Sequence, residues 1–219
     1  MAAHTVQQGE HLSGIAKQYG FYNYRTIWND PSNDDLRKLR SNPHVLAPGD
    51  VVNIPDKQSK TVARRTDDTH SFQVAQRPLK LAVKMQRYLG TAHAGAPCDT
   101  SLDQTGSTTT DSDGGLSSPI DKQLKSGALN RHETVSTGQA QTAVEHKHDL
   151  NIGHLDPVDV ASGQVSRLIN LGYYHGAADP VDAYQLRSAV EEFQCDNGLT
   201  SSGTCDGDTQ AKLLVVHGC

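Results

Sequence analysis

The side chains that could carry out chemistry in this sequence are scattered, and none belongs to a complete catalytic motif. His132 and Glu133 begin the His-Glu-x-x-His pattern of a zinc peptidase, but no second histidine stands at the required position. Cys98 has no flanking motif that would mark it as a nucleophile served by a histidine base. No pair of carboxylates is identified for glycoside hydrolysis. The sequence therefore predicts no catalytic residues and a protein that is not an enzyme.

Two groups of residues are of the types that bind metals. Asp111 and Asp113 could be calcium ligands, although an Asp-Gly turn accounts for the same pattern. His146 and His148 would share one face of a strand, but the spacing fixes no acidic or cysteine partner beside them. We therefore expect turn and surface roles for these residues, with no metal and no cofactor.

Four cysteines are present, and none forms the Cys-x-x-Cys pair of a zinc knuckle. Cys195 and Cys205 flank a turn-rich segment and could form a disulfide in an oxidising compartment. Such a bond would stabilise the fold by roughly 2–3 kcal/mol. In a reducing cytosol the two residues would instead be free thiols. The sequence favours the disulfide, and it assigns no disulfide partner to Cys98 or Cys219.

Length and composition limit both the architecture and the partners. The chain has 219 residues, of which 35% are hydrophobic and 5% aromatic, a content that fits several small domains joined by linkers. The net charge of −5, with no basic stripe, argues against nucleic acid as the main partner. No apolar run approaches the length of a membrane span, and no secretory signal precedes the first strand. We therefore expect synthesis in the cytoplasm and delivery to the periplasm or cell envelope without the Sec pathway.

The N-terminal segment combines short strand and helix signals. Residues 5–7 are strand-prone, and a glycine turn follows them. The next residues carry one apolar stripe at helical spacing, formed by Leu12, Ile15, Ala16 and Tyr19. Residues 32–40 indicate another helix, with Ser32 and Asp35 as a variant capping box. A Pro-Gly turn then leads into a predicted strand at residues 50–54.

This order of elements resembles the LysM module, a small βααβ domain that binds N-acetylglucosamine-containing glycans such as peptidoglycan and chitin. The resemblance implies that two loops, residues 9–12 and 45–49, grip acetamido sugars mainly through backbone groups. Glu10 and His11 stand where the family usually has a small polar pair, so a short capping hydroxyl is missing. The implied glycan-binding residues are Gly9, Glu10, His11, Leu12, Val45, Leu46, Pro48 and Gly49.

The C-terminal segment carries three helix signals. Ser162 can cap the first helix, and the third starts near Asp208. The second has an apolar stripe formed by Leu186, Ala189, Val190 and Phe193. Residues 167–174, 189–194 and 197–199 resemble the peptidoglycan-binding domain found beside many cell-wall hydrolases, and the resemblance extends over residues 162–218. It implies a three-helix bundle and a possible second wall-binding surface at Tyr173, Tyr174 and Phe193.

The middle of the chain has strand patterns instead. Candidate strands lie at residues 71–75, 79–86, 106–115 and 142–148, and Gly and Asp turns between them suggest a small β-sandwich. The predicted fold is therefore a multi-domain α+β protein. Its domains are a LysM module at residues 1–56, a linker at 57–69, a β-sandwich-like domain at 70–150 and a three-helix domain at 151–219.

The order of these modules resembles bacterial proteins encoded near the spike components of type VI secretion systems. That resemblance implies non-enzymatic binding of cell-wall peptidoglycan, or transport with an injected spike or toxin. Two alternatives stay open: an adaptor that docks a secretion spike or effector protein, and a peptidoglycan hydrolase with an unrecognised site. The expected partner is peptidoglycan or a related N-acetylglucosamine glycan, without insertion into a membrane.

Overall fold

The structure is a computed structural model that describes residues 2–58, 61–71, 78–87, 90–137 and 140–219. The chain divides into two compact units. The first contains Met1–Ile15, Tyr24–Pro55 and Gly153–Cys219, and the second contains Ala16–Asn23 and Asp56–Ile152. The sequence predicts two separate terminal domains, whereas both terminal segments belong to the first unit. Mixed helix and strand content is confirmed.

The N-terminal part of the first unit is closed by a two-stranded antiparallel sheet. Strands β1 (Ala2–Thr5) and β2 (Val51–Ile54) pair with Ala2 opposite Ile54. The strand predicted at residues 5–7 thus lies earlier in the chain, although Val6 still exchanges backbone hydrogen bonds with Asp50 and Gly49. Between the strands lie helices α1 (Leu12–Gln18), α2 (Arg25–Trp28) and α3 (Asp34–Leu39). The buried apolar residues of this part include Val6, Leu12, Ile15, Ile27, Leu36, Leu46, Val52 and Ile54.

Two helix starts in this part differ from the predicted ones. Asp30 caps the 3-10 turn that precedes α3, because its carboxylate accepts the Ser32 amide at 3.0 Å, and Ser32 is not the cap of α3, which follows Asn33. Pro31 then begins a 3-10 turn, Pro31–Asn33. Proline suits this first position because it has no amide hydrogen that would be left unpaired there. At the start of α1, the His11 Nδ1 accepts the Gly14 amide at 3.4 Å. The imidazole therefore takes the place of the missing capping hydroxyl.

The C-terminal part of the first unit is helical. It contains α4 (Ala161–Asn170), α5 (Ala183–Asp196) and α6 (Gly207–His217). Their apolar stripes form one core of Val165, Leu168, Tyr174, Ala189, Val190, Phe193 and Leu213. Asp182 and Asp206 cap α5 and α6 with their carboxylates. Ser162 does not cap α4, which starts after Val160, and its hydroxyl instead donates to Asp156.

The second unit contains two sheets. Strands β3 (Leu79–Lys84) and β6 (Gly115–Ile120) form one pair. The other sheet has the order β5-β4-β7-β8, built from Pro97–Ser101 (β4), Thr105–Thr109 (β5), Ser126–Thr137 (β7) and Ala140–Asn151 (β8). Leu116 of β6, Cys98 of β4 and Leu129 of β7 share a small core. Strands are thus present at three of the four predicted positions, and residues 72–75 of the remaining one, predicted at 71–75, lie outside the described residues.

In the described part of the chain, no helix combines the length and the apolar character needed to cross a membrane.

Candidate functional site

The two loops expected to contact glycan lie at the same end of the N-terminal part. The Leu12 amide donates to the Pro43 carbonyl at 3.2 Å, and the Gly49 amide donates to the Val6 carbonyl at 2.9 Å. Gly9 and Gly49 have φ values of +82° and +95°, in the left-handed region that favours glycine. Each bond thus joins one loop to a residue that lies shortly before the other loop in the chain.

The two loops differ in exposure. Gly9, His11 and Leu12 are buried, and Glu10 is half-buried. The Glu10 carboxylate accepts the Gln7 amide at 2.9 Å and lies 2.8 Å from the His4 Nε2. In the second loop Leu46 is buried, Val45 is half-buried, and Pro48 and Gly49 are exposed. A glycan approaching this end can thus reach the second loop more easily than the first.

Three aromatic side chains lie between these loops. The His44 ring packs edge-on against Tyr24, with ring centroids 4.8 Å apart, and lies 5.8 Å from the His11 ring. Burial, together with the nearby His11, lowers the pKa of His44 to about 4. The His44 Nδ1 is buried and has no hydrogen-bond partner among the described residues. His44 is therefore neutral near pH 7, and it was not singled out from the sequence because no motif contains it.

The expected wall-binding surface of the helical part needs a correction. Tyr174 and Phe193 are 2% and 0% exposed and belong to its core, so they cannot form a surface. Phe193 lies on the apolar stripe of α5, which is the face that the bundle buries, and Tyr174 follows α4 and packs into the same core. Tyr173 is only half-buried, and its hydroxyl donates to Asp196 at 3.1 Å. Burial and this carboxylate raise the pKa of Tyr173 to about 12.

Tyr174 also organises the loop that follows it. Its hydroxyl donates to the Ala177 carbonyl at 3.1 Å and accepts the Asp182 amide at 3.0 Å. Asp182 in turn caps α5 by accepting the amides of Tyr184 and Gln185. The buried phenol thereby fixes both the loop 175–182 and the first turn of α5.

Tyr184 is a surface aromatic that the sequence analysis does not single out. At 88% it is the most exposed large apolar side chain of the described residues. Its backbone is fixed by the Asp182 cap, so the ring is presented from an ordered helix start beside the loop 175–182. Its position outside the apolar stripe of α5 is the only sequence signal that could have identified it. Tyr184 is the best-placed aromatic of this part for contact with a ligand.

Two buried polar residues shape the same part. Gln194 holds the segment before α6, since its amide oxygen accepts the Ser202 and Gly203 amides and its nitrogen donates to Thr204 and Thr209. Arg167 is fully buried and donates to three carbonyl oxygens, those of Asp156, Gly163 and Cys219, each at 2.8 Å. Desolvation lowers the pKa of Arg167. Both residues are structural, and neither reaches a ligand.

Cys195 and Cys205 are free thiols in the structure, so the expected disulfide is absent from it. Cys195 is exposed on α5, whereas Cys205 packs against the core of the helical part. Burial raises the pKa of Cys205 to about 11, so its thiol is protonated at neutral pH.

Asp99 in the second unit contacts both a serine and a histidine side chain. The Ser107 hydroxyl donates to Asp99 at 2.6 Å, and the His132 Nε2 lies 2.7 Å from the other Asp99 oxygen. The serine therefore contacts the carboxylate and not the histidine, which a serine nucleophile would need as its base. These two contacts lower the pKa of Asp99.

The candidate metal ligands have other roles. One Asp111 oxygen accepts the amides of Asp113 and Gly115, which makes it part of a turn. His146 lies 3.7 Å from Glu133, and burial lowers the pKa of His148. Among the described residues, no three His, Cys, Asp or Glu side chains are arranged to hold a metal.

Comparison with known proteins gives one result. A family model described as "Putative peptidoglycan binding domain" matches residues 165–213. The match starts in α4, spans α5 and ends in α6, and it supports the C-terminal part of the predicted architecture. No curated protein and no solved structure matches the chain.

Proposed function

We propose that this protein binds bacterial peptidoglycan through its C-terminal helical part and acts in the cell envelope. The family match over residues 165–213 carries this proposal. The contacts within the matched segment support it, because the helices share one apolar core and Gln194 and Tyr174 hold the connecting loops in place. The net charge of −5 gives no general attraction to an anionic polymer, so retention on the cell wall requires specific contacts.

The contact surface that we propose centres on Tyr184. An exposed aromatic ring can stack on the apolar face of a sugar ring, and a residue whose backbone is already ordered at a helix start loses less freedom on binding than one in an unstructured loop. The adjacent loop 175–182 offers backbone groups for hydrogen bonds to acetamido and hydroxyl groups. This combination of one apolar platform and nearby polar groups is typical of small-molecule sites.

We further propose that the N-terminal part is a LysM-like glycan-binding module. Its two strands pair with helices α1, α2 and α3 between them in the chain, and each of the loops 9–12 and 45–49 is bonded to a residue that lies shortly before the other loop. Two weak sites on one chain would give avidity when both reach the same polymer. An association with a type VI spike or effector is a further proposal that depends only on the order of the modules.

We also propose binding without hydrolysis. The geometry around Asp99 supports this, since Ser107 donates to the carboxylate and has no histidine base in that arrangement. Release of soluble dye from labelled sacculi would measure hydrolysis directly. We expect no release above that of a protein-free control, and time-dependent release would overturn this part of the proposal.

Cosedimentation with purified sacculi tests the proposed surface. Tyr184→Ala should weaken retention about 5- to 30-fold, because a central aromatic contact commonly contributes about 1–2 kcal/mol to binding. Val215→Ala is the matched control, since Val215 is an exposed apolar residue of α6, 76% exposed. We expect that variant to stay within about two-fold of the wild type.

Equal loss in both variants would indicate general hydrophobic adhesion and not a defined site. Normal retention of Tyr184→Ala would exclude Tyr184 as the contact. No sedimentation of the wild type would refute peptidoglycan binding and favour the adaptor alternative.

A further inference from the structure

A short segment that enters the helical part lies against the first loop of the N-terminal part. We refer to residues 153–159 as the strap. A Cβ placed on Gly9 would be 2.9 Å from the His154 Nε2, so this imidazole covers the Gly9 backbone. A Cβ placed on Gly153 would be 2.9 Å from the Gly9 carbonyl oxygen and 3.3 Å from the His11 ring. The strap therefore accounts for the burial of Gly9 and His11.

Polar contacts hold the strap near both loops. The side-chain Nε2 of Gln8 donates to the His154 carbonyl and to the Asp156 carboxylate, each at 3.4 Å. Arg40 donates to both Asp159 oxygens at 3.0 and 3.1 Å. The same guanidinium donates to Asp50, whose carboxylate accepts the Ala47 amide of the second loop at 2.9 Å. Arg40 thus links the strap to the loop 45–49.

The other side of the strap is held more firmly. Arg167, fully buried, donates to the Asp156 carbonyl at 2.8 Å, and the Ser162 hydroxyl donates to the Asp156 carboxylate at 2.6 Å. A Cβ on Gly163 would collide with the Pro157 carbonyl oxygen, so α4 packs directly on the strap. These contacts are part of the core of the helical part.

The two sides therefore differ in strength. Towards the loops there are two long hydrogen bonds, one imidazole contact and an ion pair in which Asp159 is 54% exposed. Its partner Arg40 is only 8% exposed, but it also binds Asp50 and so keeps an acceptor when Asp159 leaves. Exposed ion pairs contribute little to stability, whereas a buried guanidinium that loses its acceptors is strongly unfavourable. If the strap separates from either side, it will leave the loops and stay on the helices.

We propose that the strap is an autoinhibitory cover over the glycan-contacting loop 9–12, and that the N-terminal part binds glycan only after the strap leaves. The proposal rests on the proposed glycan binding by this part. The strap lies against Gly9 and His11, where an acetamido sugar would otherwise approach the loop. The apparent affinity for glycan is then the intrinsic affinity multiplied by the fraction of molecules in which the loop is open.

The test is isothermal titration of the full chain with a tetramer of N-acetylglucosamine. The double variant His154→Ala/Asp159→Asn removes the imidazole and the ion pair, and we expect it to bind about 5- to 20-fold more tightly than the wild type. Asp159→Asn alone should give a smaller gain in affinity. Because this side chain is exposed, the single variant still tests the proposal if the double variant misfolds. The matched control His70→Ala/Asp67→Asn removes the same groups at surface positions and should bind like the wild type.

Equal affinity of the double variant and the wild type would overturn the strap proposal, as would weaker binding, which would make His154 or Asp159 a glycan contact. No binding by any of the chains would overturn it as well, because release of the strap would then expose no site. Peptidoglycan binding by the helical part is measured separately on sacculi through Tyr184. Its failure is therefore distinguishable from failure of the strap.

Discussion

Replacing Gly9 with alanine should destabilise the first unit for two separable reasons. Gly9 has a φ of +82°, which L side chains rarely adopt. The added Cβ would also lie 2.9 Å from the His154 Nε2, closer than normal van der Waals contact. The backbone conformation and the imidazole contact thus contribute separately to the cost.

A matched substitution isolates the backbone contribution. Gly49 has a φ of +95°, and no described atom lies within 4 Å of the position of its Cβ. Gly49→Ala should therefore cost about 1–2 kcal/mol in the free energy of unfolding, from the left-handed backbone alone. Gly9→Ala should cost about 1 kcal/mol more than that, because the imidazole must shift.

The assay is urea unfolding followed by the fluorescence of Trp28, the only tryptophan in the sequence. Trp28 lies in α2 of the first unit and reports on the part that contains both glycines. In a His154→Ala background the steric cost should vanish, and Gly9→Ala should then cost as much as Gly49→Ala. The double-mutant cycle gives the contact between Gly9 and His154 directly.

Equal costs for Gly9→Ala and Gly49→Ala in the wild-type background, without coupling to His154, would refute the placement of the strap. If Gly9→Ala instead cost more in the His154→Ala background than in the wild type, the imidazole would stabilise the alanine. That result would also contradict the placement of the strap.

Three further predictions concern stability. Arg167→Leu should cost about 3 kcal/mol in chemical unfolding, because three carbonyl oxygens lose a fully buried donor, whereas Arg187→Leu, at an exposed ion pair with Glu191, should cost under about 0.5 kcal/mol. The pKa of His44 is about 4 in the folded chain, below its ordinary value of 6.5, so the unfolded chain takes up the proton first. Stability should hold above pH 6.5 and fall as the pH drops towards 4, by about 2–3 kcal/mol in all, and His44→Gln should remove most of this dependence in pH-resolved denaturation. Tyr174→Phe should cost about 1–2 kcal/mol and speed hydrogen exchange at the Asp182 amide, and unchanged exchange would contradict the role of the phenol.

Local patterns in the sequence predict most of the elements. The stripe of Leu186, Ala189, Val190 and Phe193 predicts α5, because helical spacing needs no information from the rest of the chain. Alternating polarity predicts β3 for the same reason, and its residues alternate between half-buried and exposed. Helix starts are less certain, since Asp30 and Ser32 are both good caps and only the position of Pro31 decides between them.

The candidate sites could be predicted only in part. The loops 9–12 and 45–49 follow from the resemblance, but the cover of the first loop by the strap does not, since Gln8 and its partners His154 and Asp156 are 146 and 148 residues apart along the chain. The apolar stripes indicate that Phe193 faces a neighbour, yet they cannot say whether Tyr174 or Tyr184 stays at the surface. That choice depends on the carbonyl and amide that the Tyr174 hydroxyl contacts once the loop 175–182 has folded.

Cosedimentation of the full chain with purified sacculi at physiological salt tests the central claim most directly. We predict saturable retention in the pellet, displaced by soluble peptidoglycan fragments and weakened by Tyr184→Ala but not by Val215→Ala. A chain that stays in the supernatant at excess sacculi, or a pellet that soluble fragments do not compete away, would contradict peptidoglycan binding.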